Sequence, residues 1–170
     1  WIVTDTTERI CNVSGFGANM ELKVHPIVSD VTVYDHPYDG DTYVLQVNEG
    51  IWLGEDQKHS LLCPNQIRDH GYECDSIPCC KSKGKSIHGI KISENLTLHY
   101  ELKGKQSVLR TRKPTRAEMK KCEIIELTSA EPWDVAQEDW EDKERQYMAR
   151  NANQVGKTAP GIGDAAVHAA

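Results

Sequence analysis

Two stretches in the first third of the chain are rich in β-branched and aromatic residues, as strands are. They cover residues 31–34 and 42–47. Between them, Asp39 and Gly40 form an Asp-Gly pair, and glycine adopts positive φ without a steric cost. The pattern therefore predicts a β-hairpin whose turn lies at these two residues.

A second group of short segments, in which polar and apolar residues alternate, follows Gly84. These segments cover residues 87–92, 96–102 and 107–111, and Asn95 and Gly104 supply turn residues between them. They predict further strands. The cysteine-rich segment 74–84, which contains Pro78, is predicted to be a loop.

The pattern changes after Pro114. Thr115 and Glu118 have the spacing of a capping box and predict a helix over 116–122, after which residues 124–127 can extend a sheet. A charged helix is predicted over 135–151. The predicted organisation is a mainly β domain with peripheral helices over 1–127, an acidic helical linker over 128–155 and a disordered tail over 156–170.

Composition narrows the functional classes. The chain has 170 residues and a net charge of −6, so bulk electrostatics argue against a nucleic-acid partner for this segment. It contains neither an apolar run long enough to cross a bilayer nor a secretory leader, which predicts no membrane partner and a cytoplasmic location. Because it begins with Trp1, we expect it to be a piece of a longer chain.

Two histidines and two cysteines are candidate zinc ligands. His59, Cys63, His70 and Cys74 have zinc-ligand residue types, but Pro64 breaks any helix that would bring the first two together. We therefore predict no metal site. The six cysteines are irregularly spaced, which favours free thiols over a disulfide framework.

Two other local patterns suggest functions. The adjacent Cys79 and Cys80 have lysines nearby that favour thiolates, but no local motif supplies a base or an oxyanion site. The run 103–121 has eight basic residues and one acid, Glu118. It can hold RNA phosphates, but it has no aromatic residues for stacking, so a solvated charged face is the default interpretation.

The order of segments along the chain resembles a known family. In residues 51–71 an apolar trio is followed by a polar turn, a Leu-Leu pair and a Gln-Ile helix that ends at Gly71. Together with residues 7–14, the hairpin, 112–118 and 126–134, this order is similar to the aspartic protease region of copia-type LTR retrotransposon pol polyproteins. The resemblance implies a small retropepsin-like β domain with a flap-like hairpin. It assigns the following residues to the core or the substrate groove: Trp52, Leu53, Leu61, Leu62 and Ile67.

The resemblance also implies a mechanism. Such a protease dimerises, and one aspartate from each subunit activates a water that cleaves the polyprotein, without metal or organic cofactor. This chain lacks the Asp-Ser/Thr-Gly turn; its nearest counterpart, Asp5-Thr6-Thr7, has no glycine. We therefore expect Asp5 to be a bystander, the catalytic aspartate to precede Trp1, and the chain alone to be inactive. The alternative is a non-catalytic β-rich protein-interaction module from a degenerate element.

Overall fold

The computed structural model describes residues 1–13, 23–54, 59–134 and 139–158, of which 152–158 are described by their backbone alone. Within these ranges the chain is mainly β, as predicted. It divides into two units, Trp1–Trp133 and Asp134–Ala170. The strands are β1 (Ile2–Val13), β2 (Lys23–Asp35), β3 (Thr42–Ile51), β4 (Glu73–Asp75), β5 (Gly89–Lys91), β6 (Thr97–His99), β7 (Glu101–Lys103), β8 (Gln106–Val108) and β9 (Ile124–Glu126). The helices are α1 (Pro64–Asp69), α2 (Cys79–Ser82), α3 (Glu118–Lys121) and α4 (Asp139–Thr158).

The largest sheet has the order β1-β2-β3-β9. Strands β2 and β3 pair antiparallel and form the predicted hairpin, in which Gly40 has a φ of 78°. Strand β9 then joins the sheet parallel to β3, with Val44 opposite Ile124. The predicted extension of the sheet by 124–127 is therefore confirmed.

Both faces of this sheet are covered, because successive side chains of a strand point to opposite sides. On one face, Tyr34 and Leu45 join Ile67 of α1 and residues of β4, β5 and β6 in the larger core. On the other face, Val33 and Val44 pack with residues at α3. The sheet thus lies between α1 and the second sheet on one side and the short α3 on the other.

The second sheet has the order β4-β5-β6, and β7 and β8 form a separate hairpin. The prediction of a loop over 74–84 was wrong in detail, because this segment includes the last two residues of β4 and the whole of the one-turn helix α2. Pro78 precedes α2, where its missing N–H removes no helical hydrogen bond, and Cys74 is buried in the core. Neither β4 nor α2 has a local hydrophobic periodicity that would predict it.

The predicted capping box is present before α3. The Glu118 carboxylate accepts the Thr115 N–H at 2.7 Å, and the Thr115 hydroxyl accepts the Glu118 N–H at 3.2 Å. In the other unit, α4 continues to Thr158, beyond the predicted end at residue 151, while 135–138 and 159–170 lie outside the described residues. No helix in the described ranges has the length and apolar character needed to cross a bilayer.

Asp30 occupies an irregular position in the middle of the largest sheet. The pairing register shifts between Val3 and Asp5 on one side of it, and between Val28 and Asp30 on the other. Its Oδ1 atom is buried and has no hydrogen-bond partner among the described residues. Burial raises the pKa of this carboxyl to about 6.

Asp30 should therefore make stability fall as pH rises. In the unfolded chain the carboxyl titrates near 3.8, whereas in the fold it stays protonated up to a pKa of about 6. The stability that the protonated Asp30 carboxyl contributes is fully present below pH 3.8 and is lost as pH rises through about 6. We expect Asp30→Asn to raise the free energy of unfolding at pH 8 by about 1 to 2 kcal/mol, allowing for residual solvent contact.

Urea denaturation of both proteins at pH 4 and pH 8 checks this, since the difference should appear only at the higher pH. Asp5→Asn, on the exposed side of the neighbouring strand, is the matched control and should change neither value. Equal stability of Asp30→Asn and the parent protein at pH 8 would contradict the prediction.

Candidate peptide-binding groove

An open groove of about 500 Å³ lies beside the turn of the β2–β3 hairpin. One wall is the end of β2 and the turn, and the other is formed by the β6–β7 junction and the segment 110–112. That segment is fixed to the sheet because Arg112 and Val33 exchange backbone hydrogen bonds of 2.9 and 3.0 Å. The lining residues are Tyr34, Asp35, Pro37, Tyr38, His99, Tyr100, Glu101, Arg110, Thr111 and Arg112.

The hairpin turn is held by its own polar groups. The His36 N–H donates to the Asp41 carbonyl at 2.8 Å, and the Gly40 N–H donates to the His36 carbonyl at 3.2 Å. The Asp39 carboxylate accepts the Asp41 N–H at 2.9 Å and lies 2.8 Å from Nδ1 of His36. This wall of the groove is therefore preorganised, not a loose loop.

Aromatic rings form one end of the groove. Tyr38 is 78% exposed and contacts the His99 ring edge-on, with ring centroids 5.3 Å apart. Tyr34 is buried, and its hydroxyl accepts a hydrogen bond of 3.0 Å from the backbone N–H of His99. An exposed tyrosine supported by buried rings presents a large contact area at low entropic cost, which favours binding of another chain.

Burial also shifts the pKa values of two side chains at this end of the groove, His99 and Tyr34. It lowers the pKa of His99, and nearby His36 and His88 lower it further. The buried hydroxyl of Tyr34 has a raised pKa, chiefly through desolvation. At neutral pH this end of the groove therefore offers neutral rings with hydrogen-bonding atoms.

Two arginines form the other end of the groove, and both are paired with carboxylates. Arg112 binds Asp35 through two hydrogen bonds of 2.6 and 2.8 Å, and binds Glu118 at 2.7 Å. Arg110 lies 2.9 Å from Glu101. The hydrogen bonds from Arg112 are the largest cause of the lowered pKa of Asp35 and of the pKa of about 2 at Glu118.

These pairs restrict what the groove can do chemically. Its two carboxylates, Asp35 and Glu101, are each paired with an arginine, so neither is free to act as a general base. The four charges sum to zero. The arrangement suits a neutral or mixed-charge peptide, held by ring contacts and by exchange of exposed ion pairs at the rim.

The residues predicted from the resemblance are not brought together here. Ile67 is 1% exposed in the larger core, Leu62 packs against that core, and Trp52 is half-buried. A core role is wrong for Leu53 and Leu61, which are 43% and 92% exposed. Both follow the end of β3 at Ile51, on either side of residues 55–58, which lie outside the described residues, as does most of the polar turn predicted there. None of the five lines the groove.

The other sequence candidates are also dispersed. Asp5 is exposed on β1, where its carboxylate accepts the N–H of Thr6, and no tight turn is present there. All six cysteines are free thiols. Across the described ranges, no group of three or more metal-ligating side chains is arranged to hold an ion.

The sequence analysis missed the groove residues, although part of the signal was available. Tyr38 lies beside the predicted turn, and Arg112 lies three residues before the capping box. What the sequence does not contain is the contact between Val33 and Arg112, 79 positions apart, which makes one wall face the other.

Comparison with known proteins adds no relative. No family model, no curated protein and no solved structure matches this chain.

Proposed function

We propose that this chain belongs to the protease region of a copia-type pol polyprotein and that its groove holds an extended polyprotein segment. The observation that carries the proposal is the groove itself, which opens beside the turn of the β2–β3 hairpin, the hairpin that the resemblance likens to a flap. Its volume of about 500 Å³ lies within the range of ligand-binding clefts. The ordered series of segments that resembles the family supports the same assignment.

The groove provides contacts that an extended peptide can use. Tyr38 and Pro37 offer apolar contact on the hairpin side, while Glu101 and Arg110 offer partners of both charges on the opposite side. Both members of the Glu101–Arg110 pair are more than half exposed, so rearranging them for a ligand costs little. Polyprotein maturation would place this binding in the cytoplasm.

A second candidate function is a non-catalytic module that binds peptides without cutting them. One observation favours it: the two carboxylates in the groove are paired with Arg110 and Arg112. Cleavage would then require an aspartate from elsewhere, in a dimeric site. Both candidates predict peptide binding at the groove, and they differ only in whether hydrolysis follows.

Tyr38→Ala should weaken peptide binding about tenfold, because it removes an exposed aromatic anchor without disturbing the core. The measurement is fluorescence anisotropy with labelled peptides that together cover the sequence of the polyprotein to which the chain would belong. Tyr147→Ala is the matched control, since this tyrosine on α4 is 60% exposed and lies outside the groove. Equal binding by Tyr38→Ala and the parent protein would overturn the groove assignment.

The same peptides distinguish the two candidates when hydrolysis is followed by mass spectrometry. The chain is assayed alone and when expressed with the coding sequence upstream of Trp1, with and without a pepstatin-type inhibitor. Inhibitable cleavage by the longer protein supports the protease assignment, and Asp5→Asn should leave it unchanged. Binding without cleavage by a folded, dimeric longer protein supports the non-catalytic module instead.

A further inference from the structure

Two lysine-bearing segments of this chain contain no acidic residue. Residues 76–93 include Lys81, Lys83 and Lys85, and residues 102–117 include Lys103 and Lys105. They are separate in sequence, and only the second belongs to the basic run identified from the sequence. The net charge of −6 does not describe them, because nine of the 26 acidic residues lie between positions 123 and 144.

The fold joins these two segments through Ser107. Its hydroxyl lies 2.9 Å from Nε2 of His88, which is 8% exposed, and 3.3 Å from the carbonyl oxygen of Ser76. Ser107 is in β8, so the β7–β8 hairpin is attached where the segment containing α2 begins and ends. Lys85 is three residues from His88, and Lys105 is two residues from Ser107. Chain reach then keeps Lys85 and Lys105 within roughly 25 Å of each other.

The five lysines are exposed, and no ion pair neutralises any of them within the described part of the chain. This contrasts with Arg110 and Arg112, which are paired with carboxylates. The lysine that follows Lys85 in the sequence, Lys91 of β5, lies directly opposite Glu73 of the neighbouring strand β4. The charges of these five lysines are therefore uncompensated in the described part of the chain, and we call the group the lysine surface (Lys81, Lys83, Lys85, Lys103 and Lys105).

We propose that the lysine surface binds the phosphate backbone of a nucleic acid, independently of the proposed groove function. Duplex nucleic acid carries about one negative charge per 1.7 Å, so a stretch of roughly 25 Å offers each lysine a phosphate. Neither segment contains a tryptophan, tyrosine or phenylalanine. Base stacking on single strands and anchoring at a bilayer interface both use such rings, so backbone contact with a duplex fits this surface best.

The test is the salt dependence of binding to a labelled 15-base-pair duplex of arbitrary sequence. Five phosphate contacts predict a slope of log affinity against log salt of about −4.5, which is roughly a 500-fold loss between 50 and 200 mM salt. Lys81→Gln/Lys83→Gln/Lys85→Gln should reduce the slope to about −1.8, because about two contacts remain. The control Lys23→Gln/Lys120→Gln/Lys121→Gln changes the net charge equally at lysines outside both segments and should keep the parent slope.

Circular dichroism first establishes that both triple variants are folded. A parent slope shallower than about −1, or equal losses in the two triple variants, would overturn the proposal. Vesicles containing phosphatidylserine are the second probe. Binding to vesicles with no binding to the duplex would assign the surface to a membrane and reject the nucleic acid.

Discussion

Replacing Gly89 by alanine is expected to lower the free energy of unfolding by about 3 kcal/mol or more. Gly89 lies in β5, the central strand of the second sheet, and pairs with His99 of β6. A Cβ atom at this position would lie 2.4 Å from the carbonyl oxygen of Leu98. That neighbour is backbone, so a side-chain rotation cannot relieve the contact.

Strands β5 and β6 have little freedom to move apart and relieve this contact. Ile90, the residue after Gly89, pairs with Leu98 of β6, and both side chains are fully buried in the larger core. Moving β5 from β6 by the required distance would open that core and break backbone hydrogen bonds between the strands. The substitution should therefore destabilise the whole unit, and urea denaturation followed by circular dichroism measures the loss.

Gly50→Ala is the matched control for this prediction. Gly50 also lies in a strand, but its added Cβ would be 3.5 Å from the nearest atom, the carbonyl oxygen of Val28, which is an ordinary contact. We expect a change within about 0.5 kcal/mol there. If Gly89→Ala changed stability no more than Gly50→Ala does, the close approach of β5 and β6 would be incorrect.

The second large effect is expected at Thr128. Its hydroxyl accepts the N–H of Asn48 at 2.8 Å and donates to the carbonyl of the same residue at 2.8 Å. The Asn48 side chain returns a hydrogen bond of 3.1 Å to the Thr128 carbonyl. Both residues are at most 2% exposed, so water does not reach these groups.

Thr128→Val keeps the shape of the side chain and removes both hydrogen bonds. The buried N–H of Asn48 then has no acceptor, which costs about 2 kcal/mol. Thr128→Ser keeps the hydroxyl and loses only a methyl group, so it should cost about 1 kcal/mol. Urea denaturation midpoints of the two variants provide the comparison, and a serine variant less stable than the valine variant would refute this role for the hydroxyl.

Features that depend on neighbouring residues could be predicted from the sequence. The Asp39-Gly40 hairpin follows from glycine's tolerance of positive φ, and the Thr115–Glu118 capping box follows from a three-residue spacing. Both are present. The helix before Gly71 is present for similar local reasons, with Pro64 in its first turn.

Features that depend on distant contacts could not be predicted. The groove exists because Arg112 pairs with Val33 and with Asp35, more than 70 positions earlier in the chain. The exposure of Leu61 is equally invisible locally, since an apolar pair followed by a helix is typical of core residues. No periodicity marks β4 or α2, which are three and four residues long.

The late position of β9 has a consequence for how the chain acquires its structure. The β2–β3 hairpin closes through a short turn and can form as soon as those residues are available. The adjoining edge of β3 is completed only when Val44 meets Ile124 and Asn48 meets Thr128, about 80 positions apart. Contacts of such high sequence separation slow folding. During synthesis, β3 must therefore wait with one edge uncovered until nearly the whole of the first unit has been made.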